Sequence, residues 1–182
     1  NLMRKRVESK GKMENLSLVD SHAHLEELED LQKSLQEAKA ARVDGIIAVG
    51  MGIESNKRVL QIAEVNHGYV YPALGYHPWQ IKEEEVKANL SFIRDNVEKC
   101  VAIGEIGLDY KIKTIKELQQ KVFEELLGIA LESNKPVILH CRYSHRRAFE
   151  MVKDRKVERA VFHWYSGSLD LLDKILSMGY SI

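Results

Sequence analysis

The stretch Leu18-Val19-Asp20-Ser21-His22-Ala23-His24 is a short apolar run closed by two histidines one residue apart. In a strand, alternate side chains share a face. His22 and His24 therefore project together, placed to grip one divalent cation. Three later apolar runs end in a similar way: Ala102-Ile103-Gly104-Glu105, Pro136-Val137-Ile138-Leu139-His140 and Ala160-Val161-Phe162-His163. Imidazole and carboxylate groups at the C-terminal ends of parallel strands suit a hydrolytic metal site.

Outward from this stretch, short apolar runs alternate with amphipathic ones. Strands are expected at 18–21, 45–49, 70–74, 101–106, 137–139 and 160–162. Helical spacing of apolar residues falls at 30–42, 54–67, 82–99 and 117–133, and shorter helices at 144–152 and 169–178. Thr114 and Glu117 have the spacing of a capping box. The repeating strand–helix unit favours an α/β fold with a parallel sheet and right-handed crossovers. A doubly wound sheet usually carries a glycine-rich phosphate loop after its first strand. Here that place holds His-Ala-His, which favours a TIM-type (β/α) barrel. Six strands are visible, and Tyr180-Ser181-Ile182 reads as the start of a seventh, so about six to seven of a barrel's eight strands are present. Residues 1–15 are polar and aperiodic and are expected to form a flexible extension; residues 16–182 form one domain.

Composition narrows the class. Of 182 residues, 45% are hydrophobic and 30% charged, ordinary for a globular protein able to bury a core. Lys and Arg number 27, as do Asp and Glu, for a formal net charge of +0. A broad nucleic-acid clamp is not implied, and an anionic substrate needs a local basic patch or bound cations. Two cysteines, Cys100 and Cys141, are no disulfide framework. The expectation is a reducing, cytoplasmic setting with no membrane partner. The opening segment has no apolar core behind its basic residues and does not read as a secretory signal.

Each candidate has a bland alternative. His140 and His163 are, singly, the kind of strand-end histidine that packs in a core. Glu105, flanked by Gly104, Ile106 and Gly107, is costly to bury unless paired or metal-bound. A carboxylate can bridge two cations, so Glu105 is the candidate catalytic carboxylate as well as a ligand. Asp20 shares the parity of the histidines and is expected to orient or pack below them. His77, in Gly75-Tyr76-His77-Pro78-Trp79, is a candidate contact for substrate phosphate or metal-bound water, or a packing partner of Trp79. Trp79, Trp164 and Tyr165 are either stacking surfaces for a base or core aromatics. Arg142 heads the densest basic cluster, with His145, Arg146 and Arg147, and suits bidentate phosphate contact. Ser166 opens Ser166-Gly167-Ser168, a segment able to cradle an anion or to cap a helix. Cys141 points to the face opposite His140 and is not read as a nucleophile.

These segments together resemble the TatD family of metal-dependent deoxyribonucleases. The resemblance rests on Val19–His24, Ala73-Leu74-Gly75-Tyr76-His77-Pro78, Gly104-Glu105-Ile106-Gly107-Leu108-Asp109-Tyr110, Pro136–Arg142 and Phe162-His163-Trp164-Tyr165-Ser166-Gly167-Ser168. It implies a TIM-type barrel, phosphodiester hydrolysis in DNA, and two divalent cations (Mg, Mn or Zn). It assigns His22 and His24 to one metal, Glu105 to a bridge, and His140 and His163 to the second. The family also carries a Leu-Glu-Thr-Asp-type motif on its last strand. This sequence has none, and Asp170 and Asp173 fall on a helix after the sixth strand. Two other readings stand beside the nuclease: an amidohydrolase-type enzyme for C–N bonds or lactones, and a non-catalytic relative that lacks the last-strand aspartate. Many of the former place a lysine where Glu105 stands.

Overall fold

The computed structural model describes residues 18–182. The extension expected over 1–15 lies outside them. Six strands, β1 (Leu18–Ala23), β2 (Val43–Val49), β3 (Val70–Leu74), β4 (Ala102–Asp109), β5 (Val137–Arg142) and β6 (Ala160–Phe162), form one sheet in sequential order. All neighbouring pairs are parallel. Helices follow the strands in turn: α1 (Leu31–Ala40), α2 (Ile53–Val65), α3 (Val86–Asn96), α4 (Lys116–Glu132), α5 (His145–Asp154) and α6 (Leu169–Ser177). The sheet curls into an open part-barrel with the helices on its outer face. Val161 bridges Ser181 in parallel, the start of the expected seventh strand.

The two faces of the sheet build two layers. Ile103, Ile106 and Leu108 of β4 and Val137, Leu139 and Cys141 of β5 face outward onto Val122, Phe123 and Leu126 of α4 and Ala148 and Val152 of α5. Val49, Ala73, Ala102 and Ile138 form a smaller inner cluster made of strand residues alone. Burying each large aliphatic side chain contributes about 1.5–3 kcal/mol, and β4 is buried along its whole length. β1 is the opposite case, exposed over Leu18–Ser21.

Two local expectations are corrected. The N-cap of α4 is Ile115, with no side-chain cap, so Thr114 and Glu117 form no capping box. Gln119 instead reaches back and donates to the Thr114 carbonyl. Strand β4 also runs on to Asp109 rather than stopping near 106, because its continuation pairs with β5 as far as Asp109 opposite Arg142.

Candidate metal centre

The inward positions at the C-terminal ends of β1, β4, β5 and β6 bring the five candidates together. They form the floor of a cavity of about 760 Å³, which Trp79, Arg142, Trp164 and Ser166 also line. Glu105 sits at the middle, only 3% exposed. Its Oε2 lies 3.3 Å from His22 Nε2 and 3.5 Å from His24 Nε2. Its Oε1 lies 3.3 Å from His140 Nδ1. His163 stacks flat on His22, ring centres 3.5 Å apart. His22, Glu105 and His163 offer three donor atoms within 4.8 Å of one another, and so do His77, Glu105 and His140.

The donors fit a cation. His22 Nε2 and His24 Nε2 are 3.3 Å apart, and with Glu105 Oε2 they make a nearly equilateral triangle. The point equidistant from its corners is about 2 Å from each, the length of a zinc–nitrogen, zinc–oxygen or magnesium–oxygen bond. Two imidazole nitrogens and a carboxylate oxygen converge there; bare of protons they would repel, and protons or a cation reconcile them.

Electrostatics follow from this crowding. Burial alone would raise Glu105, but hydrogen bonds from His140, His22 and His24 outweigh it and hold the carboxyl far below the usual range. His24 is pushed up to about 10, chiefly by Glu105 and then by Glu26. His140 is raised as well, its two carboxylate neighbours outweighing burial. His77 goes the other way, down to about 3, because it is buried.

His77 is therefore neutral at physiological pH, with a single ring proton. Nδ1 accepts the backbone N–H of Trp79 at 3.1 Å, so the ring proton sits on Nε2. That Nε2–H points at Glu105 Oε2 from 3.8 Å. His77 thus offers the cluster a hydrogen-bond donor, which is poor metal-ligand chemistry and good chemistry for holding a phosphate oxygen or water.

The remaining candidates separate. Arg142 is exposed beside the cavity with no ion-pair partner among the described residues. Arg147 instead donates to Gln120, between α5 and α4. Ser166 is exposed, and Ser168 is the N-cap of α6 without a side-chain cap. Trp79 and Trp164 are exposed, whereas Tyr165 packs partly into the core and donates its hydroxyl to the Ser168 carbonyl. Cys141 is buried in the outer core, its thiol pushed up by burial, in keeping with no nucleophilic role. Asp20 does not orient an imidazole: it is exposed, and its carboxylate accepts the backbone N–H of His22. Asp170 and Asp173 are exposed on α6, away from the cavity lining.

Two carboxylates behind the histidines escaped the sequence reading. Glu26, in the turn after β1, stands 3.9 Å from His24 Nδ1 and accepts from Ser55 at 2.5 Å. Its Oε2 and His24 Nδ1 are both buried without a hydrogen-bond partner among the described residues; the oxygen 3.9 Å from Nδ1 is Oε1. Asp109, fully buried, lies 3.1 Å from His140 Nε2. The strand-end pattern that finds Glu105 also finds Asp109 once β4 is extended through it.

The chain is similar to known proteins over nearly all of its described length. The family of TatD related DNases matches residues 19–182. A protein of Methanocaldococcus jannaschii named an uncharacterized metal-dependent hydrolase is 33% identical over 173 residues, covering 93% of this chain and 68% of that protein. The 3'-5' ssDNA/RNA exonuclease TatD of Pantoea vagans is 33% identical over 158 residues, covering 84% of this chain and 60% of that protein. The crystal structure of the TatD homologue YJJV from Escherichia coli K12 superposes with a TM-score of 0.80 at 33% identity, over 90% of this chain and 66% of that one. The chain thus spans about two thirds of the length of the proteins it matches.

Proposed function

The chain belongs to the family of TatD related DNases, and from that premise we propose that it hydrolyses phosphodiester bonds in DNA at a site for two divalent cations. The observation that carries this reading is the split of Glu105: Oε2 faces His22 and His24 while Oε1 faces His140. A carboxylate presented to two sets of imidazoles is built to bridge. His22 and His24 would hold one cation and His140 and His163 the second, with Glu105 between them. Magnesium and manganese suit phosphoryl chemistry, and the imidazole-rich donor set equally admits zinc. Two such cations, when bound, stabilise the attacking and leaving oxygens of an in-line displacement.

The protein's own groups have definite tasks in this reading. The neutral His77 donates its Nε2–H toward a substrate oxygen at the cluster. Arg142, exposed and without an ion-pair partner among the described residues, takes a phosphate at the rim. Ser166 adds a hydroxyl near the same rim. Zero net charge and a site set in a cavity of about 760 Å³ suit strand ends or short single strands rather than a long duplex. No helix among the described residues is long and apolar enough to cross a membrane.

The test is end-labelled single- and double-stranded DNA incubated with this chain and Mg²⁺, Mn²⁺ or Zn²⁺. Nucleotide release is expected, lost on chelation and in His24→Ala. A parallel panel of amides and lactones separates the amidohydrolase reading. Turnover of those substrates alone overturns the nuclease assignment, and turnover of none leaves the chain a non-catalytic relative.

A further inference from the structure

Asp109 is 0% exposed at the end of β4, and its carboxylate is fully committed. Oδ1 accepts the backbone N–H of Lys111 at 2.9 Å. Oδ2 accepts the indole Nε1–H of Trp79 at 2.7 Å and meets His140 Nε2 at 3.1 Å. Gln119 of α4 fixes the backbone on both sides, accepting the Asp109 N–H at 2.8 Å and donating to its carbonyl at 2.9 Å.

The Trp79 indole and the Lys111 backbone nitrogen can only donate, so both oxygens of Asp109 already act as acceptors. His140 Nε2 therefore meets an accepting oxygen and donates to it. With a proton kept on Nε2, Nδ1, 3.3 Å from Glu105 Oε1, is the nitrogen that exchanges its proton for a cation. We infer that Asp109 is a positioning residue: it locks His140 in the tautomer and ring orientation that present Nδ1 to the Glu105 cluster. The inference rests on reading that cluster as a cation site. Outer carboxylates of this kind fix ring orientation and raise ligand basicity, and their loss costs 10–100-fold in metal affinity. The contrast with Glu26 is geometric, since that carboxylate stops 3.9 Å short of His24 Nδ1. Trp79 joins the arrangement from the other side. It is 54% exposed at the cavity, yet its edge is tied to the carboxylate that holds His140.

Two measurements test this. In the unmutated chain, first metal-free and then with zinc, a long-range ¹H–¹⁵N spectrum reports the ring protons directly, with His140→Gln used for assignment. The expected result is a proton on Nε2 throughout, and an Nε2 without a proton overturns the inference. In Asp109→Asn, one carboxyl oxygen becomes an N–H₂ that confronts either Trp79 or Lys111 as a second donor. Zinc affinity by calorimetry is expected to fall ten- to a hundredfold, and an affinity equal to the parent chain overturns the inference. A chain with the proton on Nε2 that binds no zinc keeps the role of Asp109 in holding the ring and removes the cation-site reading. The two failures are thereby distinct.

Discussion

At His24, a proton and a divalent cation compete for the same lone pair. In the metal-free chain Glu105 and Glu26 push His24 from its ordinary 6.5 up to about 10, and His140 is raised in the same sense. A histidine raised in the folded state contributes stability that is complete below about pH 6.5 and lost as pH climbs through the raised value. His77 has the opposite sign. Lowered to about 3, it refuses a proton that the unfolded chain accepts, so stability is lost as pH falls from 6.5 toward 3. Thermal unfolding in chelator is therefore expected to peak near pH 6.5 and to decline on both sides. Loading a cation must displace the His24 proton, so affinity is expected to rise by about tenfold per pH unit for each proton released. Calorimetry in buffers of different ionisation enthalpy counts those protons. An affinity that does not change between pH 6.5 and 10 contradicts the placement of the proton on His24.

Strand β4 shows what the sequence can and cannot disclose. Its apolar run and terminal carboxylate were legible, as were the H-x-H pair and the strand-end histidines, because each depends only on a period of two along one strand. The phase of β4 was not legible. Ala102 belongs to the inner cluster, while Ile103 and Ile106, three residues apart, both face the helices. Strict alternation from Ala102 would aim Glu105 at α4. A shift in the β4–β5 register between Ile103 and Ile106 turns it inward. Glu26 with Ser55, and Asp109 with Trp79, are likewise products of how elements stack, and no local period announces them. Gly107 has a specific job in this strand. It lies opposite His140, at φ 140, where an added Cβ would run into the His140 carbonyl. Gly107→Ala is expected to lose about 1–3 kcal/mol through overpacking and backbone strain and to weaken cation binding by displacing His140. Urea unfolding and a zinc titration measure the two effects. Unchanged values for both show that β5 relaxes around the methyl group.

The sheet as a whole has two unlike edges, and their chemistry bears on how this chain behaves in solution. Beyond β6, Ser181 donates to Ala160 and accepts from Phe162, so the last described residues already shield part of that side. On the other side, no strand among the described residues pairs with the outer edge of β1. Leu18 is 45% and Val19 60% exposed there. Unpaired strand edges bearing apolar side chains template pairing with another chain, and the surface near the far edge adds Met178 and Ile182, 46% and 56% exposed. The 182-residue chain is therefore expected to self-associate as concentration rises, by contact between these edges. A lysine on an edge strand opposes such pairing, because docking would desolvate its charge. Val19→Lys is expected to weaken association while leaving zinc affinity unchanged, since Val19 is exposed and is not among the residues that line the cavity. Sedimentation velocity over a concentration series, paired with a zinc titration of each variant, reads both quantities. A parent chain that sediments as a monomer at every concentration shows that the β1 edge does not recruit a second copy, and an association untouched by Val19→Lys moves the contact to the Met178–Ile182 side.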